Sequence, residues 1–481
     1  MPSFASFTSS AAKGVEGNDV PNLWFLSLWI IGYLLYTLAA IYYLFELLPA
    51  YIQGRSSYVM DPPPTVERIK RQMRKKGLES IPLFKVQITT RGGELKVVKR
   101  GIRSILGLAS EPLFKDRIMV DVVTEQPSDA RAIAKDIMDP AVPVRVHVVP
   151  REYKTKKGTL RKARAHQYMI DIRRKEKDAE RGYIVYFDAE SVITPEDFRR
   201  LVYNTIRSGK RITAGPIVYP LRWFETNLLS RQMEANRPFH CYHCHKVMTQ
   251  PPPQHLHGSN LVVEEKLALD IGWDVGNLDG QPFIAEDIVF GLRAYIKYGK
   301  EVFGWHGARL FEQPPMTLGD SIRQRIRWVT GVWQALTMLS RNKEFQKMPL
   351  MERIKLRSII RYRVTLYSLG FFTGVFFFYF MSLWVLTLLF GLHYAGFEII
   401  YLRIWAVLLV PGLALWLGGN QIGLSRILEH KKLTTGQRVA EHLKILIISP
   451  LAGSLETAAA FYATAKWFLG LRKVRWIPTT K

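Results

Sequence analysis

The stretch Tyr183-Ile184-Val185-Tyr186-Phe187-Asp188-Ala189-Glu190-Ser191 joins a run of β-favouring residues to two carboxylates. The apolar run predicts a buried strand. Asp188 and Glu190 follow it one residue apart, so their side chains point to the same side of the chain. Paired carboxylates of this kind offer the hard oxygen ligands that divalent ions prefer. The alternative is a helix N-terminal region, because Thr194-Pro195-Glu196 opens the next helix.

Upstream of this strand, short β-rich runs alternate with helical stretches. Such alternation predicts an α/β fold with a mostly parallel sheet. Ligands of such sheets bind at the carboxyl ends of the strands, so the site is expected at that edge. The predicted strands are Phe84–Thr90, Ile118–Thr124, Val144–Val149 and Tyr183–Phe187, and the predicted helices are Val66–Lys76, Val97–Gly107, Ser128–Met138 and Leu160–Lys175.

Long apolar runs lie at both ends of the 481-residue chain, and a charged stretch lies between them. A bilayer span needs roughly 20 apolar residues, and several of these runs are long enough. We therefore expect an integral membrane protein of a plasma or ER-type membrane. The expected divisions are a disordered segment at 1–20, a transmembrane helix at 21–52, a linker and basic helix at 53–80, an α/β domain with interfacial helices towards its end at 81–347, and a small helical transmembrane region at 348–481.

The last apolar segment raises a question of topology. Spans at 366–392 and 399–424 return the chain to the side of the α/β domain. A further span at 443–471 would place the basic tail Arg472-Lys473-Val474-Arg475 on the far side, against the positive-inside rule. Because Pro450 and Gly453 interrupt this segment, we predict that it is broken or re-entrant and that the tail stays cytosolic. Such a hairpin needs protein or a watery cavity around its non-helical backbone.

The charge balance and the cysteine content narrow the class further. The chain has 67 Lys and Arg against 41 Asp and Glu, a formal net charge of +26. Many basic residues flank the apolar segments, which indicates the bilayer as a partner. No nucleic-acid-binding module is recognisable among them, so nucleic acid is excluded as a partner. The two cysteines, Cys241 and Cys244, form no disulfide framework, so the α/β domain is expected to be cytosolic.

Two more clusters follow along the chain. Glu286 and Asp287 precede a predicted helix, where a carboxylate can take a proton from a hydroxyl group. The alternative is a pair of helix-start acids favoured by the helix dipole. In Gln324-Arg325-Ile326-Arg327-Trp328, Gln324 and Arg327 share a helix face, and the arginine offers fixed charge to a diphosphate. The alternative is an interfacial helix whose arginine and tryptophan contact lipid headgroups.

The order and spacing of the three clusters, with apolar spans directly after the last, resemble the family 2 glycosyltransferases of the cellulose, chitin and hyaluronan synthase type. The resemblance covers residues 80–480. It implies a GT-A catalytic domain, a nucleotide-sugar donor, Mg²⁺ or Mn²⁺ as cofactor, and inversion at the anomeric carbon.

Carried over residue by residue, the family's metal motif falls on Asp188 and Glu190, where glutamate replaces the usual second aspartate. The general base of the Thr-Glu-Asp motif falls on Asp287, beside Glu286, with Ala285 in place of the threonine. The Gln-x-x-Arg-Trp motif is complete, and the resemblance assigns it to the donor, with its tryptophan also serving the acceptor. The implied donor residues are Thr89, Thr90, Arg91, Glu125, Lys157, Asp188, Gln324, Arg327 and Trp328, and the implied acceptor residues are His257, Ser259, Asn260 and Trp328.

Two short segments resemble one branch of the family more closely. Thr90-Arg91-Gly92-Gly93 and His257-Gly258-Ser259-Asn260-Leu261-Val262-Val263 are similar to segments of the egghead-type β-1,4-mannosyltransferases. That branch implies mannose from GDP-mannose and a β-linked product on a glycolipid or a growing glycan. A UDP-sugar donor and a processive polysaccharide synthase remain the alternative.

A histidine- and cysteine-rich stretch is not explained by the resemblance. Cys241 and Cys244, with His255 and His257, offer a set of ligands that fits tetrahedral zinc, although the histidines are closer together than in most zinc fingers. The alternative is an ordered loop near the acceptor.

Two other classes of function are weighed against an enzyme. An inactive membrane scaffold that retains the fold would not need Asp188, Asp287 and the Gln-x-x-Arg-Trp motif intact. A basic membrane-surface binding module would not need acids aligned after strands. Both alternatives therefore leave unexplained the residues that the glycosyltransferase hypothesis uses.

Overall fold

A computed structural model describes residues 42–54, 63–137, 142–176, 182–250, 256–390 and 396–471, with isolated positions between 27 and 38. The expected disordered segment at 1–20, half of the first expected transmembrane helix, the basic tail and His255 lie outside the described residues.

The strands confirm the predicted α/β alternation. All four predicted strands form, and their bounds differ from the prediction by one residue at most. The strands are β1 (Phe84–Thr90), β2 (Ile118–Thr124), β3 (Val144–Val148), β4 (Tyr183–Asp188), β5 (Ile212–Ala214), β6 (Ile217–Val218), β7 (Leu261–Glu264), β8 (Asn277–Leu278), β9 (Gln281–Pro282), β10 (Phe303–Trp305) and β11 (Leu310–Phe311).

A seven-stranded sheet with the order β10-β5-β7-β4-β1-β2-β3 forms the centre of the domain. Its neighbours are parallel except at β7, which runs antiparallel to β4 and β5. This confirms a mostly parallel sheet. In the register of β1, Thr89 lies opposite Asp188 of β4, and Thr90 lies opposite Thr124 of β2. The carboxyl ends of β1, β2 and β4 therefore meet at one edge.

The predicted helices also form, with ends shifted by a few residues, which is the usual uncertainty of helix boundaries. A π-helical turn, Tyr42–Leu47, precedes the first of them. The helices are α1 (Leu48–Gly54), α2 (Val66–Lys75), α3 (Leu95–Leu106), α4 (Pro127–Asp136), α5 (Arg161–Lys175), α6 (Pro195–Ser208), α7 (Leu228–Ala235), α8 (Arg237–Thr249), α9 (Glu265–Ile271), α10 (Glu286–Tyr298), α11 (Leu318–Arg341), α12 (Lys343–Lys347), α13 (Leu350–Phe390), α14 (Gly396–Leu428) and α15 (Thr435–Phe468).

Helices cover both faces of the sheet, so the interior strand β1 is buried along its whole length. On one face, α2, α3, α4 and α6 pack their apolar side chains on the strands, for example Phe198 against Phe84. On the other face, α5, α8, α9 and α10 contribute a second core around Tyr186 and Trp273. A parallel sheet needs this cover on both faces, and the cover leaves the strand ends as the accessible edge.

The prediction of a broken or re-entrant segment at 443–471 is wrong. α15 is one uninterrupted helix that passes through Pro450 and begins with a capping box between Thr434 and Gln437. A proline inside a helix costs about 3 kcal/mol, and here α15 stays helical through Pro450 while it packs against α7, α11 and α13. Among the described residues, α15 is the one helix that is long and apolar enough to cross a membrane.

Candidate active site

The carboxyl ends of β1, β2 and β4 open into a cavity of about 2260 Å³, which reaches from the sheet to the faces of α13, α14 and α15. All three predicted clusters line this single cavity. The predicted site residues found on its wall are Thr89, Thr90, Arg91, Glu125, Asp188, Glu190, Cys241, Cys244, His257, Ser259, Glu286, Asp287, Gln324, Arg327 and Trp328.

Three carboxylates gather at the end of β4. Asp188, Glu190 and Glu312 each bring a ligand oxygen within 4.8 Å of the other two. Asp188 is half-buried, and the two glutamates are each 4% exposed. Oxygen ligands at this separation suit Mg²⁺ or Mn²⁺. The residues present therefore fit the divalent ion that the resemblance implies.

Two serines hold this cluster in place. The hydroxyl groups of Ser191 and Ser259 each donate a hydrogen bond of 2.8 Å to Oε1 of Glu312. The backbone N–H of Asp188 donates to the same two hydroxyls, at 3.1 and 3.2 Å. Because Ser191, Ser259 and Glu312 are nearly inaccessible to water, these hydrogen bonds fix Asp188 and Glu312 relative to each other. Ser259, predicted to contact the acceptor, therefore supports the acidic cluster.

Sequence reasoning missed Glu312. It follows β11, and its neighbour Phe311 pairs with Val192 just after the acidic stretch. A single glutamate beside a two-residue strand has no local pattern that marks it. Only the pairing of β11 near Val192 brings its carboxylate beside Asp188.

A lysine links the acidic cluster to the second predicted pair of acids. Lys162, near the start of α5, donates to a carboxylate oxygen of Asp188 and to the carbonyl oxygen of Gly258. Burial alone would lower the pKa of Lys162, but the negative charges of Asp188, Glu286 and Asp287 outweigh burial and raise it. Lys162 therefore stays protonated between the two groups of acids.

Glu286 and Asp287 open α10, and both are partly accessible from the cavity. Burial raises the pKa of each carboxyl above its ordinary value, and their mutual repulsion adds to the rise at Glu286. The Asp287 carboxylate lies beside Gly258, where an added Cβ would stand 3.1 Å from Oδ2. A carboxylate with a raised pKa on a cavity wall is suited to accept a proton near neutral pH.

Three arginines face the cavity together. Burial lowers the pKa of Arg161, and the neighbouring guanidinium groups of Arg91 and Arg327 lower it further. The Glu286 carboxylate offsets part of this effect, and all three arginines line the cavity. Arg161, which sequence reasoning missed, thus joins two predicted residues in a positively charged wall that fits a diphosphate.

The Gln-x-x-Arg-Trp segment lies in the first half of α11. Between its motif positions, Arg325 is fully buried and donates to Glu234, to Glu456 of α15 at 3.1 Å, and to the side-chain oxygen of Gln324 at 2.8 Å. The Arg237 guanidinium lies 4.1 Å from the centre of the Trp328 ring. The motif is therefore fixed by buried charges from three helices.

The acids at the start of α10 are also tied to α11. The side chain of Gln334 accepts from the backbone N–H of Ile284 and donates to the carbonyl of Pro282, both at 3.0 Å. An added Cβ on Gly331 would lie 2.5 Å from Cβ of Ala285. α11 therefore passes very close to position 285. This close packing explains why a small residue, Ala285, stands where the resemblance expects threonine.

Two predicted site residues are placed away from the cavity wall. Asn260 is fully buried and donates to the carbonyls of Pro216 and Ala308, at 2.9 and 2.8 Å, so its prediction as an acceptor residue is wrong. The backbone N–H of Lys157 donates to Asp274, whereas Lys156 lines the cavity in its place. Both residues are neighbours of residues that do face the cavity. The sequence alone does not determine which of two adjacent loop side chains turns towards the cavity.

The zinc alternative gains no support from the described residues. Cys241 and Cys244 lie on α8, and Sγ of Cys244 is 3.4 Å from Nε2 of His257. The hydrogen bond from Cys241 and burial raise the pKa of the Cys244 thiol. Among the described residues, Asp188, Glu190 and Glu312 are the histidine, cysteine or acidic side chains of which three bring their ligand atoms within 4.8 Å of one another.

Residues 183–418 match the family described as glycosyl transferase family group 2. The chain therefore contains a glycosyltransferase family 2 domain, and its mostly parallel sheet is that of a GT-A-like α/β fold.

Curated relatives narrow the comparison. The chain is 25% identical over 256 residues to the β-1,4-mannosyltransferase egh of Drosophila melanogaster, and 27% identical over 260 residues to the β-1,4-mannosyltransferase bre-3 of Caenorhabditis elegans. In both cases the match covers 52% of this chain and 52% of the relative, so it spans about half the length of those proteins. Among solved structures, S. aureus TarS 1–349 is similar with a TM-score of 0.31 at 12% identity, over 81% of this chain and 92% of that one.

Proposed function

We propose that this protein is a membrane-embedded, inverting glycosyltransferase that transfers mannose from GDP-mannose to a glycolipid or glycan acceptor in β-linkage. The observation that carries the proposal is the meeting of the acidic cluster, the arginine wall and the Glu286–Asp287 pair on one cavity. The mannosyl donor is supported by the two relatives named as β-1,4-mannosyltransferases.

The nucleotide would lie at the ends of β1 and β2, against Thr89, Thr90 and Glu125. Glu125 is held there by Arg164, whose guanidinium lies 2.9 Å away. The diphosphate would face Arg91, Arg161 and Arg327, since fixed guanidinium charges stabilise the charge that develops on a departing diphosphate. These residues bind and orient the donor before any bond changes.

Asp188, Glu190 and Glu312 are the residues that would hold Mg²⁺ or Mn²⁺, beside the arginine wall. A divalent ion at this position supplies Lewis-acid stabilisation to the leaving diphosphate. Glu312 has its Oε1 engaged by two serine hydroxyls. Its role is therefore to keep the cluster rigid as well as to supply negative charge.

Asp287 is the proposed general base. In one in-line step, the acceptor oxygen bonds to the anomeric carbon, the bond from that carbon to the diphosphate oxygen breaks, and Asp287 takes the acceptor proton. Attack from the face opposite the diphosphate turns an α-linked donor sugar into a β-linked product. Glu286 lies beside the base, and the positive charge of Lys162, which is held by Asp188 and by the Gly258 carbonyl, faces both acids.

The acceptor would enter from the other end of the cavity, past Trp328 and His257. Trp328 offers a flat apolar face to a sugar ring. We propose that 366–392 and 399–424 cross the bilayer and that 81–347 is cytosolic, so the cavity opens towards the membrane. This placement favours an acceptor that is attached to lipid or that crosses the membrane.

The proposal is tested by nucleotide release from the purified full chain, with GDP-mannose and UDP-sugars, Mn²⁺ or Mg²⁺ and a membrane lipid extract. We expect release from GDP-mannose in wild type and a loss of at least about 100-fold in Asp188→Ala. Asp279→Ala is the matched control, because Asp279 is a surface residue paired with Arg341. Activity with UDP-sugars alone would reject the donor, and equal activity in Asp188→Ala would reject the site.

A further inference from the structure

α15 contacts the catalytic domain along almost its whole length. Near its start, Glu441 accepts hydrogen bonds from Trp223 at 3.0 Å and from Arg231 at 2.6 Å. Near its end, Thr464 accepts from Trp333 at 3.0 Å. Because each helical residue rises by 1.5 Å, these two contacts are about 35 Å apart along the helix axis. One face of the domain therefore follows the helix from end to end.

The polar contacts of α15 all lie on one side. Between the two outer contacts, Ser449 accepts from Gln232 at 3.2 Å, and Glu456 accepts from Arg325 at 3.1 Å. The positions 441, 449, 456 and 464 are seven or eight residues apart. That spacing places them on one helix face. This face is bound to α7 and α11 of the catalytic domain.

The opposite face of α15 is apolar and exposed. Leu443 is 52% exposed, Ile447 77%, Leu451 46% and Tyr462 52%. Their spacings of four, four and eleven residues keep them on one stripe. The basic residues Lys432 and Lys444 lie beside the start of this stripe and are exposed as well. An apolar stripe with cationic neighbours is the pattern of a helix that lies on an anionic bilayer.

α13 and α14 differ from α15 in this respect. α13 packs into the core of the domain through Leu356, Ile360 and Val364, and α14 packs against Ala235 through Gly423. These contacts lie near the N-terminal end of α13 and near the C-terminal end of α14. A helix that contacts the domain at one end only can cross a bilayer with the rest of its length. A helix that contacts the domain at both ends stays alongside the domain.

We propose that α15 lies in the plane of the membrane surface, between the catalytic domain and the lipid, and does not cross the bilayer. The apolar stripe is inserted at the boundary between headgroups and acyl chains. The chain after α15 then stays on the side of the active site, which removes the conflict between a third C-terminal span and the basic tail. This inference rests on the membrane-embedded part of the proposed function and is independent of the sugar that is transferred.

The depth of α15 in lipid is the direct test. In a Cys241→Ser, Cys244→Ala background that retains its gel-filtration profile, Leu443→Cys, Leu451→Cys and Tyr462→Cys each carry one environment-sensitive fluorophore. The proteins are reconstituted in phosphatidylcholine–phosphatidylserine vesicles with nitroxide quenchers at the headgroup or at mid-chain. We expect all three sites to report the same shallow depth, about 5–10 Å below the headgroups.

A spanning helix would give a different result, because positions 443 and 462 would differ in depth by about 28 Å. That result would overturn the proposal. Equal and complete insensitivity to both quenchers would also overturn it, because the stripe would then be covered by protein. Val375→Cys on α13 is the control and should respond to the mid-chain quencher. If it responds only at the headgroup, the proposed α13 span fails while the in-plane depth of α15 stands.

Sidedness gives a second, independent readout. In sealed vesicles of one orientation, a membrane-impermeant maleimide should label Thr480→Cys and Lys300→Cys from the same side, since Lys300 is exposed on the catalytic domain. Labelling of position 480 from the opposite side to position 300 would overturn the proposal. Neither the depth measurement nor the labelling measurement depends on enzymatic activity. If the protein shows the expected labelling but no sugar transfer, the proposed function fails and the in-plane position of α15 stands.

Discussion

The two ends of the cavity are built from different chemistry. At the charged end, Asp188 and Glu312 lie at strand ends, Asp287 lies in the first turn of α10, and Arg327 lies in the first half of α11. Asp188 lies close to Glu312, and its charge interacts with that of Arg327. At the apolar end, the wall is formed by α13, α14 and α15, with Gly370, Gly374, Leu413, Trp416 and Gly453 among its residues. The charged end suits a diphosphate and the apolar end suits an acceptor that approaches from lipid. In the proposed function, the cavity would bring two unlike substrates to one carboxylate pair.

Arg325 lies where the charged and apolar ends of the cavity meet, and its substitution should lower the stability of the protein more than any other change considered below. Arg325→Met would leave Glu234 and Glu456 without their shared cation, and Glu234 is fully buried. Removing one partner of a buried ion pair costs about 3–5 kcal/mol. We expect a large loss of thermal stability in detergent, measured by the unfolding temperature. Arg323→Met is the control, since Arg323 is 43% exposed, and equal losses in both would contradict the role of the buried network.

The charged end is tested next by Glu312→Gln. The neutral side chain keeps the shape but removes one charge from the acidic cluster and weakens its bonds to Ser191 and Ser259. We expect turnover to fall by about 100-fold and the Mn²⁺ concentration for half-activity to rise. Glu301→Gln, whose side chain is 75% exposed, should behave as wild type. An unchanged Mn²⁺ requirement would show that Glu312 is only structural.

The apolar end is tested by Leu413→Trp, which narrows it without touching a charged group. We expect KM for a lipid-linked acceptor to rise by about tenfold. A change in the fit of a hydrophobic pocket weakens binding by on the order of 1–3 kcal/mol. GDP-mannose binding, measured by calorimetry, should stay unchanged. A rise in the Kd of the donor instead would mean that the two ends are not separate subsites.

The smallest effect concerns the pH dependence of folding. Burial raises the folded-state pKa of Glu286, so the folded protein binds this proton more tightly than the unfolded chain does. Stability is therefore lost as pH rises from the ordinary pKa through the raised one. We expect Glu286→Gln to raise the unfolding temperature by about 2 °C at pH 8 and by nothing at pH 4. A lower unfolding temperature at pH 8 would contradict the direction of the shift.

The two ends were not equally predictable from the sequence. At the charged end, tandem acids after an apolar strand and the Gln-x-x-Arg-Trp helix carry local patterns, and these residues line the cavity as expected. Glu312, Lys162 and Arg161 have no such pattern, because each is a single charged residue that only the sheet order and the loop path bring to the site. Asn260 and Lys157 lie within segments that resemble the family, but their side chains do not face the cavity, because adjacent residues of the chain turn to opposite sides.

The apolar end was harder to predict for a different reason. Pro450 and Gly453 suggested a break, yet α15 is continuous. The helices that α15 packs against, α7, α11 and α13, are far away in sequence. Hydropathy records how apolar a helix is and does not record what covers each of its faces. Gly453 lets Trp416 of α14 approach, with an added Cβ only 2.7 Å from the ring, so it serves packing.

Asp287→Asn tests the central claim most directly, because this residue stands where the two ends meet. The substitution keeps the shape and hydrogen-bonding size of the side chain and removes its capacity as a base. We predict that the variant binds GDP-mannose with a Kd within about twofold of wild type and transfers mannose at least about 1000-fold more slowly. A variant that retains a tenth of wild-type turnover, measured as labelled mannose on the acceptor, would contradict Asp287 as the base and with it the account of the cavity.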